Sequence, residues 1–290
     1  MTLRGAVKRG TAAVLPRFLA FLALLACAGC GAARPERVEW PTMGTLAALQ
    51  SRGASADVLS GARRTAQERC DLVMRLLNAH DPSSELSRLA ALPDDTAVCS
   101  RCDARVLPCY AAAFALRDLS GGAFDPRWKG AGTLDLGAIA KGFAVDLIAA
   151  GLRDAEADLL VDIGGNLKAV RGTWRTGVRA PSGDGLCASV SLAPGEALAT
   201  SAEYFRGRHI FDARTGSPAA SGVASVSVLC RSAMWADGLS TVLFILGPEK
   251  GGEFLDARLA DRADVGAVAV LWIMDDGRKV RRDPANRFGE

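Results

Sequence analysis

The chain has 290 residues, of which 49% are hydrophobic, and its formal net charge is only +3 at pH 7. This length and composition are sufficient for the core of one large domain or of two small ones. The small net charge, together with the lack of a basic stretch interleaved with aromatic residues, argues against nucleic acid as a partner.

The N-terminal end of the chain has the pattern of an export signal rather than of a folded element. Arg4, Lys8 and Arg9 precede a short apolar run that ends in small residues, and such a run is too short to span a membrane comfortably. A cysteine that closes a run of this kind is typical of bacterial lipoproteins. Cys30 is the predicted lipidation site and Cys27 is the alternative, whereas an ordinary cleaved signal would use neither.

The chain is therefore expected to divide into three segments. Residues 1–30 form a lipoprotein signal peptide, residues 31–36 a short tether, and residues 37–290 one exported domain. We expect a protein of the bacterial cell envelope, lipid-anchored to a membrane, with its domain on the periplasmic side.

The first half of the domain predicts one strand region followed by helices. "VEWPTMGTLAALQ" suggests an opening strand that is interrupted at Pro41 and Gly44. Residues 55–77 have the 3.6-residue spacing of a helix with a charged outer face. "HDPSSELSRLA" has the turn chemistry and the Ser and Glu content of a new helix start. "CYAAAFALRDLSGG" predicts another helix, which Gly121 and Gly122 end.

Six cysteines follow Cys30, and three of them, Cys99, Cys102 and Cys109, are close together in "CSRCDARVLPC". An even number of cysteines in an exported protein favours disulfides. A metal knuckle and a redox CxxC are the alternatives, but no histidine lies near and no second CxxC completes a zinc site. A local structural disulfide is the favoured prediction.

The stretch "LDLGAIAKGFAVD", residues 134–146, predicts an amphipathic helix that starts near residue 136. Gly137 and Gly142 each weaken such a helix by roughly 1 kcal/mol, and Lys141 faces the positive end of the helix dipole. One interpretation is that the glycines let a phosphate approach the helix N-terminus and that Lys141 neutralises it. The other is close packing of the helix on a sheet with a solvated Lys141, and the local pattern does not decide between them.

The second half alternates strands and helices. "ADLLVDIGGNLKAVRG" predicts two strands joined at Gly164 and Gly165, and "GVASVSVLC" predicts a third. "AMWADGLSTVLFILG" has helical length and spacing, and "AVAVLWIM" predicts a last buried strand. This mixed order predicts a single α+β domain.

Two further groups of residues suggest chemistry. Asp237 and Thr241 share a helix face, and their oxygens suit Mg²⁺, although an internal side-chain hydrogen bond is the favoured explanation of the pair when it is taken alone. Arg231 is the only basic residue within a turn of this buried-looking segment. His209 in "RGRHIFDARTGSP" is the side chain best suited to proton transfer near neutral pH, although a lone histidine is more often structural.

Eight short segments occur in order along roughly residues 39–255, and the ordered set is specific although each segment is weak alone: "PTMGT", "DPSSELSRL", "GGAFDP", "LDLGAIAKGFAVD", "VDIGGN", "ALATS", "HIFDARTG" and "ADGLSTVLFILGPEKG". The set resembles the ApbE family, the FAD:protein FMN transferases. The resemblance implies a single T-fold-related α+β domain, with a mixed or antiparallel sheet packed by helices. It also implies an enzyme that uses FAD and Mg²⁺, moves FMN through its phosphate onto a Thr or Ser of an exported flavoprotein, and releases AMP.

The resemblance also implies roles for particular residues. Asp237, Thr241 and the backbone carbonyl of Ala138 would bind Mg²⁺. The catalytic candidates are Lys141, which would contact the diphosphate, His209, which would handle a proton, and Asp212. The implied FAD-binding residues are Met43 on the flavin side, Gly44, Thr45, Glu85, Lys141, Asp146, Gly164, Gly165, Thr200 and His209.

The chain departs from the family pattern in several places. The stretch between "AFDP" and "LDLG", residues 127–133, is much shorter than usual. Asp162 and Asn166 exchange the polar ends of the family's Asn-x-Gly-Gly-Asp, Ala213 replaces a proline, and His80 replaces an aromatic residue. Two alternatives therefore stay open: a Mg²⁺-dependent FAD pyrophosphatase, and a non-catalytic FAD-binding lipoprotein.

Overall fold

The first two strands, β1 (Glu36–Thr42) and β2 (Thr45–Arg52), form an antiparallel hairpin. The expected interruption at Pro41 is wrong, because Pro41 lies inside β1 opposite Leu46. β1 is an edge strand, where the missing N–H of a proline is tolerated. The turn falls instead at Met43 and Gly44, whose φ angles are 47° and 67°.

The computed structural model describes residues 35–290 except 182, 184, 204–206 and 261. The predicted signal peptide, with Cys27 and Cys30, and most of the predicted tether therefore lie outside the described residues. Residues 33–290 form one compact unit. In the described part, no helix combines the length and the apolar character that crossing a membrane requires.

Five helices separate the first hairpin from the next strands. They are α1 (Ala56–Leu77), α2 (Glu85–Leu89), α3 (Asp95–Arg101), α4 (Leu107–Leu119) and α5 (Ala140–Gly151). The structure confirms three predicted helices: the one at residues 55–77, the one after "HDPSS" and the one that ends before Gly121. Ser55, Ser84 and Asp94 each accept a backbone N–H two or three residues into the helix that follows, as N-cap residues do.

The remaining elements contain most of the sheet and one long helical segment, which is kinked at Gly247 (φ 72°) just before Pro248. They are β3 (Asp158–Ile163), β4 (Asn166–Arg171), β5 (Trp174–Arg179), β6 (Leu186–Leu192), β7 (Ala197–Ala202), β8 (Phe211–Asp212), β9 (Ser217–Pro218), β10 (Val223–Cys230), α6 (Ala233–Arg258), β11 (Ala269–Met274), β12 (Lys279–Arg282) and β13 (Phe288–Gly289). The eight-stranded main sheet has the order β1-β2-β3-β4-β7-β10-β11-β12, and its pairings are antiparallel. The predicted α+β class with an antiparallel sheet packed by helices is confirmed.

The main sheet buries both of its faces. One face and the helices enclose the larger core, and the other face packs against the small sheet β13-β6-β5. Successive side chains of a strand point to opposite faces. In β7, Ala197 and Ala199 accordingly belong to the helix-side core, whereas Leu198 belongs to the other core.

Helix α5 begins at Ala140, four residues later than the sequence predicts. The carboxylate of Asp135 accepts the N–H of Gly137 at 2.9 Å and fixes a turn ahead of the helix. Ile139 has the extended φ of −141° and is the N-cap residue, without a side-chain capping hydrogen bond. Gly137 therefore lies outside the helix, and Lys141 and Gly142 lie in its first turn.

The cysteines of the described residues are free thiols, including Cys99, Cys102 and Cys109. The predicted local disulfide is therefore wrong for this structure. Cys109 is buried inside α4, whereas Cys99 and Cys102 lie at the C-terminal end of α3, where the Cys102 thiol contacts the Cys99 carbonyl oxygen at 3.4 Å. Burial raises the pKa of the Cys102 thiol to about 11.

Candidate functional site

The site is built where the first turn of α5 crosses the first turns of α6. A Cβ atom on Gly142 would lie 2.1 Å from the carbonyl oxygen of Ala233 and 2.8 Å from the Cβ of Asp237. Only glycine allows the two helices to come this close. The close-packing interpretation of Gly142 is thus correct, with the partner being a helix rather than the sheet.

Asp237 of α6 takes the place of a capping residue for α5. Its Oδ2 accepts the N–H of Gly142 at 2.9 Å, one of the first four amides that a helix leaves without an internal partner. A carboxylate is also favoured at the positive end of the helix dipole. Burial raises the pKa of Asp237, and the Lys141 charge and the Gly142 N–H oppose that shift.

Lys141 supplies positive charge at the same point. Its Nζ donates to the carbonyl oxygen of Gly137 at 3.0 Å and lies 3.6 Å from Asp237 Oδ2. Sequence reasoning looked for a base only within a turn of Asp237 and missed this pairing, which depends on the crossing of two distant helices. A cation held between a carbonyl and a carboxylate shows that the site favours positive charge.

Asp146 of α5 makes the reciprocal contact at the start of α6. Its carboxylate accepts the Ser232 hydroxyl at 2.7 Å and the N–H groups of Ala233 and Met234 at 3.0 and 2.9 Å. Lys168 of β4 donates to it at 2.7 Å. Asp146 therefore lies at the start of α6, where its carboxylate accepts the first N–H groups of that helix; its FAD contact stays a prediction of the resemblance.

Asn166, the first residue of β4, lies on the same sheet face as Lys168 and next to Asp237. Its amide lowers the pKa of Asp237 through a side-chain hydrogen bond, and its Nδ2 also donates to the Ile163 carbonyl at 3.4 Å. Sequence reasoning did not include Asn166 in the site. The available signal was the exchange of polar residues around Gly164 and Gly165.

Thr241 lies one helical turn beyond Asp237, near the hydroxyl group of Ser201 from β7. Ser201 Oγ is 2.6 Å from Ser240 Oγ and 3.4 Å from Thr241 Oγ1. Thr200, the predicted FAD-binding residue, points to the opposite face of the sheet, where its hydroxyl pairs with that of Ser227 at 2.8 Å. The structure thus brings Ser201, and not Thr200, to the α6 side, because strand alternation places neighbours on opposite faces.

Two glycine-containing turns meet at one end of the main sheet. The Thr45 side chain lies against Gly164, where a Cβ would come within 2.8 Å of Thr45 Oγ1. Gly164 also donates its N–H to the Leu46 carbonyl at 3.1 Å. The predicted residues around Met43 and around Gly164 are therefore neighbours, although 121 positions separate these two in the chain.

The hairpin β8–β9 carries the remaining catalytic candidates. Arg214 donates twice to Asp212, at 2.9 and 2.7 Å, and holds the pKa of that carboxyl below its usual range. His209 is exposed, with Nδ1 2.8 Å from the Gly207 carbonyl. In the short 127–133 segment, Trp128 stacks on Phe211 with ring centroids 4.9 Å apart.

The structure does not join every predicted residue to the Asp237 site. Among the described residues, no hydrogen bond or ion pair connects His209 or Asp212 with Asp237 or Lys141. Glu85 lies elsewhere, where both of its carboxylate oxygens accept the Asp103 N–H, at 3.1 and 3.0 Å.

The donor atoms around Asp237 fit a small hard cation. The Asp237 carboxylate, the Thr241 hydroxyl one turn later on α6 and the Asn166 amide oxygen are hard donors, and the part of the chain that the structure describes has no group of three His, Cys, Asp or Glu residues suited to a metal. A site with a single carboxylate suits Mg²⁺, which usually takes one or two carboxylates and completes its shell with water and phosphate oxygens. The buried carboxylate beside an ammonium group is the observation that supports this fit.

The overall fold has close counterparts among solved structures. The ApbE protein from Thermotoga maritima superposes with a TM-score of 0.70 at 23% identity, over 86% of this chain and 97% of that one. A flavin transferase ApbE from Vibrio cholerae gives 0.67 at 23% identity, over 85% and 97% of the two chains. The structure is therefore a single α+β domain with the ApbE fold.

Sequence comparisons agree with the fold. Residues 128–265 match the ApbE family, and an FAD:protein FMN transferase of Rhodobacter capsulatus is 35% identical over 253 residues, which cover 80% of this chain and 46% of that protein. A protein of the same name from Vibrio cholerae is 35% identical over 164 residues, or 50% of this chain and 46% of that one. The chain thus spans about half the length of these curated relatives, and it contains a region that matches the ApbE family.

Proposed function

We propose that this protein is a Mg²⁺-dependent FAD:protein FMN transferase. It would move FMN through its phosphate onto a Thr or Ser hydroxyl of an exported flavoprotein and release AMP. The observation that carries the proposal is the buried Asp237 at the N-terminus of α5 with Lys141 beside it. The relatives that share the domain are named for this activity.

The chain's own groups match the needs of phosphoryl transfer. Lys141 is 21% exposed in its side chain and stands at a helix N-terminus, where it can neutralise a diphosphate. Asp237, Thr241 and the Ala138 carbonyl would hold Mg²⁺. When bound, the ion supplies charge neutralisation at the phosphate oxygens and at the departing AMP.

The reaction breaks the phosphoanhydride bond of FAD and forms a phosphoester bond to the acceptor. The acceptor oxygen forms a bond to the phosphorus of the FMN phosphate, and the bond from that phosphorus to the AMP phosphate oxygen breaks. The acceptor hydroxyl loses its proton, for which His209 is the candidate base. The negative charge leaves with AMP, and Lys141 is placed to stabilise that charge.

The two adjacent turns offer a surface for the flavin side of FAD. Met43 has a φ of 47°, a left-handed conformation that costs free energy in a non-glycine residue and is often retained at ligand-binding sites. Thr45 and Gly164, which lie against each other, and Gly165 are small residues of the same two turns. We place the flavin contacts of the enzyme here.

We also infer that a lipid anchor holds the domain at the membrane on the periplasmic side, as the sequence before residue 35 suggests. Replacing Cys30 with Ser should move the protein from the membrane fraction to the soluble fraction, because lipid attachment needs that thiol. Retention in the membrane, with a lipid found on Cys27, would show that the other cysteine is modified.

The activity can be tested with the full-length chain in detergent. It is incubated with FAD, Mg²⁺ and a candidate exported flavoprotein subunit, and intact mass and AMP are measured. An acceptor that gains FMN, with one AMP released per adduct, supports the transferase. AMP without an adduct supports FAD hydrolysis instead, and intact bound FAD supports the non-catalytic alternative.

A further inference from the structure

Asn166 has a buried polar atom that its surroundings do not satisfy. The residue is 3% exposed, and its Nδ2 donates to the Ile163 carbonyl at 3.4 Å. Its Oδ1 is buried and has no hydrogen-bond partner among the described residues. An acceptor left in this state is costly, so a natural protein usually gives it a partner.

The position of Asn166 shows what kind of partner is absent. Asn166 and Lys168 lie two residues apart on β4 and face the same side of the sheet. Lys168 meets the carboxylate of Asp146 with an ammonium group, at 2.7 Å. Asn166 lies beside Asp237 as Lys168 lies beside Asp146. Its side chain is a neutral amide, and the amide atom without a partner, Oδ1, is a hydrogen-bond acceptor.

The amide of Asn166 is hydrogen-bonded to Asp237, so its free Oδ1 lies beside a buried carboxylate, and a cation bound there would offset the burial cost of both groups. Lys141 does not fill this role for Asn166, because its Nζ contacts the Gly137 carbonyl and Asp237. An amide oxygen is an accepted ligand of hard divalent cations. Unlike a second carboxylate, it adds no buried charge that the protein must carry when the cation is absent.

We propose that Asn166 contributes, through Oδ1, a further oxygen ligand to the divalent cation that Asp237 binds. The inference rests on the Mg²⁺ site of the proposed function and adds a residue on a strand to ligands from α6 and from the turn before α5. The bound cation would then have ligands from β4 as well as from the crossing of α5 and α6.

The test is calorimetric titration of Mg²⁺ alone into the full-length chain in detergent, together with thermal melts with and without the ion. Asn166→Leu removes the amide at nearly constant volume. We expect it to weaken Mg²⁺ binding about tenfold and to leave the melting temperature without Mg²⁺ unchanged or higher, because an unsatisfied acceptor is removed. Asn166→Asp keeps an Oδ1 and should bind Mg²⁺ at least as tightly, with a larger rise in melting temperature on adding the ion.

Two control variants separate this inference from the proposed function. Asn78→Ala removes an amide whose oxygen is already used by the His80 N–H at 3.0 Å, and it should leave Mg²⁺ affinity unchanged. Asp237→Asn should abolish Mg²⁺ binding. If it does so while Asn166→Leu binds Mg²⁺ like the wild type, Asn166 is not a ligand and the metal site stands without it.

Other results would also overturn the inference. Loss of Mg²⁺ binding in Asn166→Asp would show that the oxygen is not used, and this variant decides the matter if Asn166→Leu does not fold. A wild-type chain that binds no Mg²⁺, or an Asp237→Asn variant that binds it normally, would contradict both the inference and the Mg²⁺ site on which it rests.

Discussion

At the crossing of α5 and α6, two aspartates each accept N–H groups at the start of the other helix, but they differ in how many hydrogen-bond donors they have. Asp146 of α5 caps α6, and Asp237 of α6 caps α5. Asp146 has four donors, including the ammonium of Lys168. Asp237 has the Gly142 N–H at 2.9 Å, Lys141 only at 3.6 Å, and the amide of Asn166.

The difference separates a structural carboxylate from one that can accept a ligand. Asp146 is half-buried and its oxygens are fully used, so it stabilises the start of α6 and little else. Asp237 is buried with too few partners, and burial raises its pKa. A carboxylate in this state gains more from a cation than a satisfied one does, because the cation offsets a desolvation cost that its present partners compensate only in part.

The largest expected effect is on turnover. Asp237→Asn keeps the side-chain shape but removes the charge that holds Mg²⁺, and AMP release should fall about 100-fold or more. The melting temperature without Mg²⁺ should be unchanged or higher, because a neutral amide is cheaper to bury. AMP release and melting are measured on the same sample, and normal Mg²⁺-dependent turnover would exclude Asp237 as a ligand.

Asp146→Ala should give the opposite pattern. It removes the acceptor of the Ala233 and Met234 N–H groups and the carboxylate partner of the Lys168 ammonium, so the free energy of unfolding should fall by about 2–3 kcal/mol. AMP release per folded molecule should stay within a small factor of the wild type. Chemical denaturation measures the first quantity, and a variant that folds normally but does not turn over FAD would assign Asp146 to the active site after all.

Lys141→Ala should affect FAD binding more than folding, since the side chain is partly exposed and acts through its charge. Loss of a charge-assisted hydrogen bond to the diphosphate corresponds to about 1.5–3 kcal/mol, or roughly ten- to a hundredfold in affinity. Fluorescence titration with FAD measures the change, with Lys250→Ala of α6 as a surface control. An unchanged affinity would make Lys141 a solvated residue of the helix.

Gly142→Ala tests the helix crossing on which both caps depend. The added methyl group would collide with the Ala233 carbonyl, so we expect a loss of about 1–3 kcal/mol in unfolding free energy. The matched control is Gly252→Ala in α6, where a Cβ would meet nothing within 4 Å and a small gain is expected. Equal stabilities of the two variants would contradict the close crossing.

Local patterns predicted the elements, and long-range packing decided the details of the site. The helical spacing of residues 55–77 and the two glycines after Ile163 were sufficient to predict α1 and the β3–β4 turn. The four-residue spacing of Asp237 and Thr241 predicted only a shared helix face, and their role as a metal-binding pair came from the resemblance to the family. Three placements could not be predicted without the strand order and the helix contacts: Pro41 inside a strand, Thr200 on the far face of the sheet and Asp146 at the start of α6. Asn166 could be assigned to the site only once the structure showed β4 beside α6.

The most direct test of the account is AMP release from FAD as a function of Mg²⁺ concentration. The wild type, Asp237→Asn and Asp146→Asn are compared in the full-length chain, with each rate divided by the folded fraction from its own melt. We predict Mg²⁺-dependent release by the wild type and by Asp146→Asn, and none above background by Asp237→Asn. Equal rates for the two variants, or release by the wild type that does not depend on Mg²⁺, would contradict the assignment of Asp237 as the functional carboxylate.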